Sequence, residues 1–168
     1  SDVYKRQAVL RAFTHYLRQA GFSYSDKYLG SVFTSNPDLS ALLLGYFHAK
    51  FDPDLTPAVG TRDEHIAQIH HRIEQALSEV TSLDADRVLR AVLSLVDATV
   101  RTNVFQPEDG SLPRAAVYKI LPPQLDFVPK PKPAYEMWVY SPEVEGVHLR
   151  FGKVARGGLR LSLIHISE

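Results

Sequence analysis

From Ala8 to Phe105 the apolar positions recur at the three- and four-residue spacing of helices. Val9, Leu10, Phe13, Tyr16 and Leu17 form the first such face, and Gly21 supplies a C-terminal stop. Ser25 is placed to cap a short helix carrying Tyr28, Leu29, Val32 and Phe33. Asn36-Pro37 reads as cap and first helical residue of a helix through Leu39, Leu42, Leu43, Tyr46 and Phe47. Pro53 ends it, because its ring and missing N–H cannot continue the ladder. Thr61 and Glu64 have the spacing of a capping box ahead of a face made by Ile66, Ile69, Ile73, Leu77 and Val80. Asp84 is the expected cap of the next helix. Its polar positions Arg87, Arg90, Ser94, Asp97 and Arg101 form one narrow stripe, which predicts a buried helix with a single wet edge and an Asp97–Arg101 pair.

The pattern changes after Phe105. Eight of the 11 prolines lie between Pro107 and Pro142, and Pro129-Lys130-Pro131-Lys132-Pro133 reads as a stiff extended connector. Then the period becomes two. Tyr135, Met137 and Val139 alternate with Glu136, Trp138 and Tyr140, and Val147, Leu149 and Phe151 alternate with His148 and Arg150. Ser141-Pro142-Glu143 and Gly146 lie between the two runs, which predicts an antiparallel pair, and Ala116 to Leu121 is a further strand candidate. The fold class expected is α+β: a helical region over 8–105, a proline-rich connector over 106–134, and antiparallel strands from 135 to 160 that begin a further domain.

Composition narrows the function classes. The 168 residues carry 19 Lys+Arg against 19 Asp+Glu, which argues against a nucleic-acid surface or a polybasic membrane surface. No apolar run approaches the roughly 20 residues of a membrane helix. Without Cys there are no disulfides, thiolate metal sites or Cys nucleophiles, in keeping with a cytoplasmic protein.

The two ends share an inverted element. Asp2-Val3-Tyr4-Lys5-Arg6-Gln7 can be encoded by GATGTGTATAAGAGACAG, whose reverse complement translates as Leu-Ser-Leu-Ile-His-Ile, the run from Leu161 to Ile166. That string resembles a transposase end used in sequencing libraries, so 1–7 and 161–168 are expected to be translated adapter.

Three clusters are candidates for chemistry. His65, His70, His71 and Glu74 share a helix, but a two-histidine metal site needs i,i+4 spacing on one face, and His65 to His70 is five residues. A solvated helical face is the expectation there, and no metal is assigned. Arg87, Arg90 and Arg101 are read as pairing with nearby acids rather than binding an anion. The third cluster, Gly152 to Arg160, is the most suggestive. Arg150, Lys153, Arg156 and Arg160 put four cations into 11 residues, framed by Gly152, Gly157 and Gly158. Cations beside exposed backbone N–H groups suit a carboxylate or a phosphate, although a solvated basic loop has the same pattern. No phosphate-cradling or dinucleotide glycine motif is present, nor a Ser-His-Asp arrangement.

The run Val-Tyr-Ser-Pro-Glu-Val-Glu-Gly-Val-His-Leu-Arg-Phe-Gly-Lys-Val-Ala-Arg-Gly-Gly-Leu-Arg, from Val139 to Arg160, resembles the large bacterial NAD-specific glutamate dehydrogenases. Asn36-Pro37, Phe51-Asp52-Pro53, Ser82-Leu83-Asp84 through Asp86-Arg87, and Ala98 to Phe105 resemble that family in the same order. The family continues after Gly-Gly-Leu-Arg with Trp-Ser-Asp, where this chain has Leu161. The resemblance implies an internal fragment of an enzyme that converts L-glutamate to 2-oxoglutarate and ammonium while reducing NAD+. It implies substrate-binding roles for Arg156, Gly157 and Gly158, with Lys153 and Arg160 as second choices. Arg156 matches the lysine of a similar Lys-Gly-Gly-Leu-Arg in short glutamate dehydrogenases, which contacts the substrate side-chain carboxylate. It further implies that the catalytic lysines and the NAD-binding fold lie downstream, so that no catalytic or cofactor-binding residue falls within this chain and the fragment alone is inactive. A homo-oligomer is expected of the full-length enzyme. The alternative is a non-enzymatic helical interaction or regulatory module with a basic anion-binding tail.

Overall fold

The computed structural model describes residues 2–107, 109–141, 144–150 and 157–163, with β5 and most of β4 described by their backbone pairing. The element order is α1 (Asp2–Gln19), α2 (Asp26–Ser35), α3 (Pro37–Phe51), α4 (Arg62–Leu77), α5 (Leu83–Ala98), β1 (Thr99–Thr102), β2 (Ala116–Ile120), β3 (Tyr135–Tyr140), β4 (Val144–Arg150) and β5 (Gly157–Leu163). The chain divides into a helical unit, 6–96, and a sheet unit, 97–168 with residues 1–5.

In the helical unit the periodic apolar faces become the core. Phe13, Tyr16 and Leu17 of α1, Leu29 of α2, Leu43 and Phe47 of α3, Ile73 and Leu77 of α4, and Leu89 and Leu95 of α5 are all at most 1% exposed. Burying a side chain such as Phe47 contributes roughly 1.5–3 kcal/mol. Its ring meets that of Phe13 edge-on, with centroids 5.8 Å apart.

The helix ends follow local chemistry. Gly21 has φ +104, and the bonds from its N–H to the Arg18 carbonyl (3.1 Å) and from Phe22 N–H to the Leu17 carbonyl (3.0 Å) complete a Schellman motif. Ser25 Oγ accepts from Tyr28 N–H at 3.1 Å, as its position before α2 leads one to expect. Asn36 has a different job from the one its sequence position implies. Its side chain does not cap α3; its Nδ2 donates back to the Val32 carbonyl at 2.8 Å and so closes the end of α2. Thr61 Oγ1 accepts from Glu64 N–H at 3.2 Å at the start of α4.

Two expectations about α5 are corrected. Ser82, not Asp84, is its cap: Ser82 Oγ accepts from Ala85 N–H at 3.2 Å, while Asp84 lies inside the first turn. The helix also stops at Ala98 rather than reaching Arg101. The β-branched pair Thr99-Val100 favours extended backbone, and the chain passes directly into β1, so Asp97 and Arg101 are not an i,i+4 pair on one helix.

The sheet unit is a five-stranded meander in the order β1-β2-β3-β4-β5, every neighbour antiparallel. A bulge between Thr99 and Arg101 sits in the first pair. The connector region 106–134 contributes β2, a 3-10 turn at Pro122–Gln124, and the buried side chains of Leu125 and Val128. Asn103 ties the β1–β2 link down: its side chain donates to the Ala115 carbonyl at 3.0 Å and accepts from Val117 N–H at 2.8 Å.

Register decides which residues share a face. Tyr118 stands opposite Trp138, and Ile120 opposite Glu136. All four are at most 1% exposed, whereas Tyr135 on the other face is 39% exposed.

Candidate functional site

The glycine-framed cationic run is reached through β4 and β5. Their register sets Arg150 opposite Gly157, Leu149 opposite Gly158, His148 opposite Leu159 and Val147 opposite Arg160. Gly157 and Gly158 therefore open β5 directly across from the end of β4, where a missing Cβ leaves backbone open to close approach. Lys153 and Arg156 lie outside the described residues. The structure thus brings Gly157, Gly158 and Arg160 onto one strand.

The histidine cluster is placed differently. His70 Nδ1 lies 3.2 Å from a Glu74 carboxylate oxygen, and its ring meets Tyr46 edge-on at 5.4 Å. His71 is exposed on another side of α4. Among the described residues no group of three His, Asp or Glu side chains is arranged to hold a metal ion.

Two arginines of the stripe, Arg87 and Arg90, are engaged within the helical unit, while Arg101 is exposed. Arg90 Nε donates to both Asp86 carboxylate oxygens, at 2.9 and 3.0 Å. The Arg87 guanidinium lies over the Phe22 ring, 4.9 Å from its centroid. Nearby, Tyr24 donates its phenol to Asp84 at 2.8 Å. That bond to an anion, with lesser help from desolvation, raises the Tyr24 pKa above its ordinary value.

A groove of about 570 Å³ runs over the helical unit, lined by Tyr28, Ser31, Asn36, Asp38, Val80 and Ser82 among others. Its lining is mixed hydroxyl, amide and apolar, with no convergent set of cations or nucleophiles.

Two internal polar residues had not been singled out in the sequence. Arg62 donates to the carbonyls of Ala49 (2.9 Å), Asp52 (2.7 Å), Leu55 (2.7 Å) and Pro53 (3.4 Å), gathering the end of α3 and the loop after it. Glu136 is 1% exposed on the buried face of the sheet. Its place in the alternating run with Trp138 and Tyr140 was the available signal; the tryptophan marks which face is inside.

Comparison with known proteins bears on the whole chain. A family model described as "Bacterial NAD-glutamate dehydrogenase, catalytic domain" matches residues 72–164, from within α4 to the last strand. The chain belongs to the bacterial NAD-glutamate dehydrogenase family. A second model, "Glutamate dehydrogenase, helical motif 3", matches residues 3–53. The NAD-specific glutamate dehydrogenase of Halomonas elongata is 43% identical over 163 residues, covering 96% of this chain and 10% of that protein. The Mycobacterium tuberculosis enzyme of the same name is 45% identical over 161 residues, covering 95% and 10%. That of Pseudomonas aeruginosa is 39% identical over 156 residues, covering 92% and 10%. The chain therefore spans about a tenth of the length of these glutamate dehydrogenases.

Proposed function

We propose that this chain is a section of an NAD-dependent glutamate dehydrogenase that contributes one wall of the glutamate pocket and not the hydride-transfer machinery. The observation that carries this reading is the family match over 72–164, which contains the whole glycine-framed cationic run.

The chemistry fits the substrate. L-Glutamate and 2-oxoglutarate present two carboxylates, and a pocket for them needs cations that hold both while the α-carbon is oriented. Arg156 is assigned to a substrate carboxylate, where a guanidinium fork gives bidentate recognition. Gly157 and Gly158 let the backbone approach the same group. Lys153 and Arg160 are the second cations of the wall.

NAD binding is assigned to a part of the enzyme outside this chain. The sheet is antiparallel throughout, so it lacks the parallel βαβ unit whose glycine-rich turn seats a pyrophosphate. Cofactor binding, the lysines that act on amine and water, the homo-oligomeric state and a cytoplasmic setting are assigned to the whole enzyme. The isolated chain is accordingly expected to show no NAD+ reduction with glutamate, and measurable turnover would overturn that.

The direct test is Arg156→Ala at the matching position of a complete relative. Loss of one charge-assisted bidentate contact predicts a KM for glutamate raised roughly 10- to 100-fold. NAD+ affinity, read by fluorescence titration, stays constant. Unchanged kinetics would remove Arg156 from the pocket.

A further inference from the structure

The groove over the helical unit lies where four helix ends meet. Ser35 and Asn36 close α2, Pro37 to Leu39 open α3, Ala76 and Glu79 belong to the end of α4 and the turn after it, and Ser82 and Ala85 are the cap and first turn of α5. The first N–H groups and last carbonyls of a helix have no partner within it, so such a junction sets backbone donors beside acceptors. An extended peptide offers the same alternation in return.

The side chains add two further requirements. Val32, Leu39 and Ala85 of the lining are buried and Val80 is half-buried, which suits aliphatic groups. The charged lining is of one sign. Asp38 and Glu79 are exposed carboxylates, and among the described residues no Lys, Arg or His lines the groove. Neither acid takes part in an ion pair among the described residues. A complementary occupant therefore carries a cation. Lysine meets both requirements, because its methylene stem lies on apolar surface while the ammonium reaches carboxylates at the rim.

Size and position indicate where the occupant comes from. A groove of about 570 Å³ holds only a few residues, and so small an interface binds weakly unless its two sides are tethered. This chain spans about a tenth of the length of its relatives, so a tethered segment has ample chain to come from. The walls also belong to two separately matched stretches. The α2 and α3 residues fall within 3–53, and those from Ala76 to Ala85 within 72–164.

We propose that the groove takes an extended segment of the enzyme's own remaining chain, in which a lysine flanked by aliphatic residues sets its ammonium against Asp38 and Glu79. The bound segment acts as a strap across the helical motif and the start of the catalytic stretch. The proposal rests on the reading of this chain as a section of a longer dehydrogenase, and its test uses no glutamate kinetics, so its failure leaves the assignment of Arg156 untouched.

Zero-length carbodiimide cross-linking, read by peptide mass spectrometry, tests it in a complete relative with carboxylates at the positions matching Asp38 and Glu79. The expected product joins one of these carboxylates to a lysine of the same chain; oligomers mixed from ¹⁵N-labelled and unlabelled chains distinguish that from a second subunit. The cross-linked segment, made as a synthetic peptide, is then titrated into the 168-residue chain and followed by amide shifts of Ser31, Ser35 and Thr81. D38N/E79Q is expected to weaken that binding about tenfold and to remove most of its salt dependence. E79Q alone, in the turn after α4, keeps the test if D38N disturbs the start of α3. A link only to a second subunit would overturn the proposal. So would both carboxylates reacting with glycine ethyl ester and forming no link, or peptide binding that is indifferent to the loss of charge.

Discussion

Replacing Arg62 by methionine removes a single side chain that closes the end of α3. Its guanidinium donates to four carbonyls, three of them at 2.7–2.9 Å and part-buried. The fourth, Pro53 at 3.4 Å, is exposed and adds little. A charged donor is worth about 1.5–3 kcal/mol per bond in a protected site, but water can replace part of it at a helix end, so about 0.5–1 kcal/mol for each of the three short bonds is reasonable. Loss of a cation beside the negative end of the helix dipole adds about 0.3–1 kcal/mol. The expected total is about 2–4 kcal/mol. In urea this is a lowered midpoint at unchanged slope, followed by helical circular dichroism. Arg62→Lys keeps the charge but replaces a planar fork by a point donor that reaches fewer carbonyls, and should fall about midway. A loss below about 0.5 kcal/mol for the methionine variant, or a lysine variant as stable as the parent, would refute the capping role.

Burial, with a smaller contribution from Tyr140, raises the Tyr118 pKa well above its ordinary 10.0. A raised folded-state value means the fold favours the protonated phenol, so its contribution is fully present below about pH 10 and is lost as pH rises beyond that. Tyr118→Phe should flatten the alkaline limb of the stability curve, and tyrosinate absorbance should show Tyr118 ionising only as the sheet unfolds; early titration would contradict this. Gly21 has φ +104 and open space within 4 Å of where a Cβ would stand, so Gly21→Ala tests backbone strain without a clash. It should cost about 1 kcal/mol in thermal unfolding, and a stabilised variant would show that the left-handed conformation is not required.

Much of the helical unit was legible because its signals are local. Leu29, Val32 and Phe33 lie within one helix, and the cap at Ser25 needs only the three residues that follow. What escaped was decided by competition. Asn36 could serve either of two adjoining helices, and its amide went to the carbonyl of Val32 behind it. Ser82 and Asp84 are both good caps, and the chain began the helix one residue after the serine. The end of α5 at Ala98 reflects strand pairing, which Thr99 and Val100 cannot announce alone. Of the proposed substrate wall, the glycine pair and the cations stood out in sequence. The burial of Glu136 did not, because an acid in an alternating run looks solvated until the partner strands show which face is covered.

The meander has a kinetic corollary. Each strand pairs only with its sequence neighbour, so no ladder waits for a distant segment to arrive. The closest partners are β3 and β4, separated by the few residues between Tyr140 and Val144, whereas β1 to β2 and β2 to β3 span longer connections. Loop-closure entropy is smallest for the first of these, so that hairpin is the natural nucleus, and β1 and β5 add to it from opposite sides. Strand β5, with its paired glycines, is thus assembled on a template that the chain has already completed by the time it emerges in synthesis.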